Sequence, residues 1–281
     1  MLSVECVRYR SVPEWSASET GECAASAFGH LLGEEIAAAT ASLSETDISF
    51  NICVSTMIDL PFASGWLKWP EVAAAAAEVT DKPPRNFTAS YECAGWGFAL
   101  EYARRRARPG SRIVITIADL NVLDFSFWRR NPNWGPSGFG VTTLVVRLPT
   151  DGAFPLTTKI AQSLHGMGEY CVDLRKWLAC SPSRAANVPF LPAGMAEIYK
   201  HFLKQERLLP NLHDRYGHCF GSDTWLSYIN HAKSGQLGPN DVYTATSASL
   251  RGYWAISDIV FDAGCRFELL ERPGSREEAT S

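Results

Sequence analysis

A pattern that occurs twice constrains this chain more than any single motif. In the first half Cys93 opens a helix, Pro109-Gly110 ends it, and a strand begins at Ile113. In the second half His218 lies just ahead of a helix, Gly235 closes it, and a strand begins near Val242. Gly and Pro are the residues that stop helices, so both boundaries have a chemical cause. A duplicated unit would place Cys93 and His218 at equivalent positions of two similar halves, residues 1–150 and 151–281, facing one shared cleft. Helix-turn-strand units are common, and coincidence is the competing explanation.

Periodicity fills in the rest. Helical spacing predicts helices over 20–42, Trp69–Val79, Ala94–Ala107, Met195–Glu206 and Thr224–Ala232. Alternating or β-branched runs predict strands over Asp47–Met57, Asn86–Tyr91, Ile113–Ile117, Gly138–Leu148, Asp241–Thr246 and Ala255–Asp262. Strands alternating with helices argue for an α/β architecture with helices covering sheet faces. The polar tail 272–281 is expected to be disordered.

Composition excludes several classes. The net charge is -4, and the run Arg104-Arg105-Arg106 is the sole basic cluster. That does not make a nucleic-acid surface; it reads as a solvated helix face, or as a contact for an acidic carrier protein. No segment reaches the ~18 apolar residues of a membrane helix. Met1 to Cys6 lacks a basic stretch leading into an apolar one, so no signal peptide is expected. The eight cysteines form no CxxC pair. No structural zinc is expected, and reduced thiols in the cytoplasm are the natural reading.

Cys93 stands between a strand and a helix, a setting that suits a nucleophile. The thiolate is the reactive form, and free N–H groups at a helix start favour it. Ala94 and Gly95 are small enough to let a thioester approach, and their amides could hold an oxyanion. A buried structural cysteine is the alternative.

The segment Glu92-Cys93-Ala94-Gly95-Trp96, with the helix through Ala103, resembles the Ala-Cys-Ser-Gly-Phe segment and helix of the β-ketoacyl-acyl-carrier-protein synthase III family. Arg215-Tyr216-Gly217-His218 is similar to that family's Arg-Tyr-Gly-Asn run. Gly235–Asp241 is similar to its glycine-rich turn, and Gly135–Val141 to its Gly-Asp-Gly-Ala segment. Trp254 falls on the tryptophan of its terminal loop. The resemblance implies a thiolase fold: two similar halves in five layers, αβαβα, assembled as a dimer. It also implies a cysteine that accepts an acyl group from coenzyme A or an acyl carrier protein, with no bound cofactor beyond that thioester and no metal.

The departures bear on the chemistry. Pro192-Ala193 stands where the family has Pro-His, and His218 stands where it has asparagine. The chain is shorter at its N-terminus and between Ile198 and His213. The terminal-loop glycines are largely replaced, leaving Ser249 as a further candidate beside the oxyanion. Decarboxylative condensation uses His and Asn together to hold an enolate, so it is doubtful here. Cys93 with His218 as base could still move an acyl group to an acceptor, with Asp223 or Asp214 orienting the imidazole. His213 could suggest a metal pair with His218, but the spacing around Gly217 argues against one. Phe62, Trp66, Trp69, Phe87 and Trp96 are candidates for an acyl tunnel or for plain core. Two functions stay open: an acyltransferase of specialised metabolism, or an incomplete ketosynthase-like subunit paired with a complete homologue. A hydrolase with water as acceptor is a third.

Overall fold

The computed structural model describes residues 1–12, 15, 20–203, 207–238 and 240–271. The first half runs β1 (Leu2–Ser11), α1 (Gly21–Ala39), β2 (Ile48–Val54), α2 (Asp59–Ala63), α3 (Trp69–Val79), β3 (Asn86–Thr88), α4 (Gly95–Arg106), β4 (Arg112–Asp119), α5 (Ser126–Arg129), the small hairpin β5–β6 (Arg130–Asn131 and Gly135–Pro136) and β7 (Gly140–Arg147). The second half runs β8 (Leu156–Ile160), α6 (Gly166–Cys180), α7 (Ala193–Phe202), α8 (His213–Tyr216), α9 (Asp223–Lys233), β9 (Val242–Ala248) and β10 (Tyr253–Leu270).

The apolar side chains sort these elements into five layers. On β4, Val114 and Ala118 meet Phe28, Leu32 and Ile36 of α1, which packs with α3 as one outer layer. Ile113, Ile115 and Ile117 point the other way, onto α4 and α9. A strand covered on both faces has no polar side, which is why Ile113–Ile117 reads as an unbroken apolar run. The middle layer is α4 and α9, each packed on both sheets: α4 touches β2, β4, β8 and β10, and α9 touches β1, β9 and β10. Beyond β9 and β10, Trp254 and Ile256 meet Tyr170 and Leu174 of α6, the second outer layer with α7.

The first half's strands run β3-β2-β4-β7-β1. β10 then joins the two sheets. Its start pairs antiparallel with β9 and β8, and its continuation pairs parallel with β1, Leu2 opposite Ile259 and Arg10 opposite Leu270. The predicted strand Ala255–Asp262 therefore extends to Leu270, because β1 supplies partners beyond Asp262. β1, β8 and α6 were not predicted. The predicted strand Asn86–Tyr91 stops at Thr88, since Tyr91 adopts the left-handed conformation (φ 71). The end of the helix predicted to Glu206, and the tail 272–281, lie outside the described residues.

One glycine sets how closely the middle layer approaches the second sheet. A Cβ at Gly97 of α4 would overlap the Cβ of Ala255 on β10. Gly97→Ala must push apart the helix that follows Cys93 and the strand beneath it. We expect a loss of about 1–3 kcal/mol, typical of overpacking, read as a lowered urea midpoint with unchanged slope.

Candidate active site

Cys93 lies where the chain leaves β3 and enters α4. Two consecutive non-glycine residues, Tyr91 (φ 71) and Glu92 (φ 46), take left-handed backbone there. Each such residue costs about 1–2 kcal/mol, and the Tyr91 ring helps hold the bend by stacking on Phe98 with centroids 3.8 Å apart. The residues Glu92–Ala94 form a single 3-10 turn, and α4 starts at Gly95.

His218 is placed by the other half. α8 ends at Gly217 (φ 71), where a side chain would strike the Pro136 carbonyl. The His218 amide donates to Pro136 O at 2.9 Å, and its carbonyl accepts from the Gly138 amide at 3.0 Å. The turn Phe220–Ser222 then leads into α9 and touches the turn that carries Cys93. Cys93 and His218 therefore precede the two middle-layer helices and meet between the halves.

The contacts define the imidazole. His218 Nδ1 lies 3.0 Å from the Phe190 carbonyl, which only accepts, so Nδ1 carries the proton. Asp223 Oδ2 is 2.8 Å from the same nitrogen. The lone pair of Nε2 is left facing Cys93 Sγ at 3.9 Å. Asp223 is itself fixed, accepting from the Cys219 amide at 2.7 Å and the Phe190 amide at 2.9 Å. Asp214, the other orienting candidate, points into solvent beside His213. His213 donates through Nε2 to the Trp134 carbonyl at 2.8 Å and stands apart from His218's thiol-facing nitrogen. Among the described residues no cluster of His, Cys, Asp or Glu could hold a metal ion.

The electrostatics overturn one expectation. Burial holds the Cys93 thiol well above its ordinary pKa, and the carboxylates of Asp119, Glu92 and Asp223 push it further, against a lowering contact from Thr56. The helix-start amides do not counter this. The Ala94 amide is bonded to Tyr91 O at 3.0 Å, and that of Gly95 to Glu92 O. Cys93 thus rests as a neutral thiol rather than a thiolate. The same bonds remove Ala94 and Gly95 as oxyanion donors, and neither lines the cavity; the bare Cα of Gly95 faces Val54. Ser249 does line it, but its amide donates to Tyr253 O at 2.8 Å. The amide of Cys93 itself has no acceptor among the described residues.

Burial works against an imidazolium at His218, and Asp223, the Phe190 carbonyl and Asp119 outweigh it, so the pKa rises above 6.5. The neutral base is therefore lost as pH falls through a value above 6.5. Acylation of Cys93 is expected to decline about tenfold per pH unit below that midpoint. In Asp223→Asn the acid limb should move to lower pH. Rapid-quench mass measurement across pH checks both.

The thiol and imidazole open into a cavity of about 180 Å³. Its walls are Phe127, Trp128, Trp134, Met167, Leu191 and Phe220, with Thr56 and Asn133 as neutral polar groups. The aromatic residues proposed from sequence mostly lie elsewhere. Phe62, Trp69 and Phe87 pack against one another, and Trp96 is buried with its indole N–H on Ser247 Oγ. Phe127, Trp128 and Trp134 come from α5 and the β5–β6 hairpin, which carry no periodic signal, and Met167, Leu191 and Phe220 from the second half. Ala193 opens α7 and is not part of the wall.

Layers, sheet order and the paired middle helices define a thiolase fold. No protein-family model and no curated protein sequence matches the chain. Solved structures do. An acyltransferase, ChlB3, superposes with a TM-score of 0.63 at 11% identity, over 93% of this chain and 98% of its own. A 3-oxoacyl-(acyl carrier protein) synthase III from Pseudomonas aeruginosa gives 0.63 at 13%, over 93% and 98%. The priming β-ketosynthase of a polyketide biosynthetic pathway gives 0.64 at 12%, over 93% and 96%. At these identities the likeness establishes the fold. No described helix is long and apolar enough to cross a membrane.

Proposed function

We propose that the chain is an acyltransferase that takes an acyl group from a coenzyme A or acyl-carrier-protein thioester onto Cys93 and passes it to an acceptor. The carrying observation is that Cys93 Sγ and His218 Nε2 face one another on one cavity, with Asp223 behind the imidazole at Nδ1. His218 Nε2 removes the thiol proton as sulfur attacks the thioester carbonyl. The Cys93 amide receives the oxyanion, and the departing thiol takes the proton from the imidazolium. In the second half-reaction the imidazole deprotonates the acceptor and reprotonates the sulfur. Asp223 stabilises the transient imidazolium and keeps its proton on Nδ1. The thioester supplies the driving force, and the sequence of steps calls for no resident cofactor.

Transfer is favoured over decarboxylative condensation because the described cavity wall carries one imidazole, already committed to the thiol. A missing enolate donor would cost about 3 kcal/mol in the transition state. The structural neighbours named as an acyltransferase and a polyketide-priming synthase support a place in specialised metabolism.

The test is intact-mass measurement after mixing with short acyl-coenzyme A thioesters, with the adduct mapped by peptide digestion. An acyl increment on Cys93, and none on the neighbouring Cys219, is expected. An adduct that forms only with a co-expressed ketosynthase homologue would favour the incomplete-subunit reading. No adduct under either condition would sink both.

A further inference from the structure

The reaction cavity has a second chamber against it. Thr56, Glu92, Phe127, Trp128 and Arg251 line both spaces, and the outer one measures about 550 Å³. To these shared residues the outer chamber adds Asp59 and the rings of Phe62, Tyr91, Phe125 and Tyr253.

Two features of the shared wall call for a ligand. Thr56 is 7% exposed; its amide is bonded to Asp119 at 2.7 Å, and its Oγ1 makes no well-formed hydrogen bond but lies near both the Cys93 thiol and the Asp119 carboxylate, lowering the pKa of each. A buried hydroxyl held only by such loose contacts can turn to a ligand, and this one sits where the chambers meet, beside the thiol. Glu92 is the second feature. It is held in strained backbone one residue before the nucleophile, and its side chain is 16% exposed. Its ion-pair partner is Arg251, at 3.0 Å and 73% exposed. A pair with one end in water is weak and exchangeable. The chamber thus has two carboxylates against one guanidinium, within aromatic walls, which is a setting for an organic cation.

We propose that the outer chamber is the acceptor site and that the acceptor is an aliphatic amine. Its ammonium replaces Arg251 at Glu92. After losing one proton to water, its nitrogen is held by Thr56 Oγ1 against the acyl carbon. This rests on the acyl-enzyme reading above. In the transfer the C–N bond forms as the C–S bond breaks, giving an amide. The second nitrogen proton passes through His218 to the sulfur of Cys93.

The experiment uses the full chain and a mass-verified acyl adduct on Cys93, discharged by butylamine or by butan-1-ol. We expect the amine to discharge it at least about tenfold faster than the alcohol, the difference one charge-assisted contact supplies. Glu92→Gln should raise the KM for butylamine about tenfold and shrink the amine-to-alcohol ratio by the same factor. Arg251→Gln should act in the opposite direction, lowering the KM for butylamine, which a general loss of fold would not do. Preference for butan-1-ol, or an amine KM indifferent to both substitutions, overturns the proposal. Should no adduct form, calorimetric titration with butylammonium chloride decides. Saturable binding weakened in Glu92→Gln supports the cation site while sinking the acyl-enzyme, and no saturable binding overturns the site itself.

Discussion

Cys93→Ala is expected to lower acyl transfer by about 10⁴-fold or more, the scale on which removal of a covalent nucleophile is felt, and to erase the mass adduct. The companion His218→Ala is the more informative variant. Were the sulfur a resting thiolate, losing the imidazole would slow only the second half-reaction. Here burial and three carboxylates hold the thiol neutral. His218→Ala should therefore slow the first half-reaction too, by about 10²–10⁴-fold. Single-turnover acylation followed by mass separates the steps. An unimpaired acylation rate would remove His218 from the first of them.

Asp223→Ala is expected to show the largest loss of stability. The carboxylate is 1% exposed and serves three groups, the amides of Phe190 and Cys219 and the imidazole of His218. Alanine strands two buried N–H donors at about 1–3 kcal/mol each. A loss of about 3–5 kcal/mol would lower Tm by roughly 5–10 °C in a chain of this size. Scanning calorimetry checks it, and a shift of under about 2 °C would mean that the two amides find other acceptors.

Much of the layer plan was legible in the sequence because burial on two faces writes itself into composition. β4 is an apolar run, and α4 and α9 carry periodic apolar residues closed by Gly. Cys93, His218 and Asp223 could be named because each stands at a boundary between elements, where side chains converge. Three things were not legible. The tether between Asp223 and the Phe190 amide joins residues 33 positions apart, and no local pattern announces it. The cavity's aromatic wall comes from short, aperiodic pieces around Phe127 and Trp134. The amides of Ala94 and Gly95 looked free because the sequence does not show that Tyr91 and Glu92 bend through left-handed backbone and turn their own carbonyls back onto them.

β10 has a consequence for the whole molecule. One unbroken ribbon belongs to both sheets, so neither half owns all of its hydrogen-bond partners. Cut between residues 150 and 151, the first fragment would lose the neighbour of β1 and bare an edge along it, inviting sticky self-association. This shared seam makes the two halves a single unit of melting, and the groups that meet between them keep their spacing for as long as that seam stays stitched.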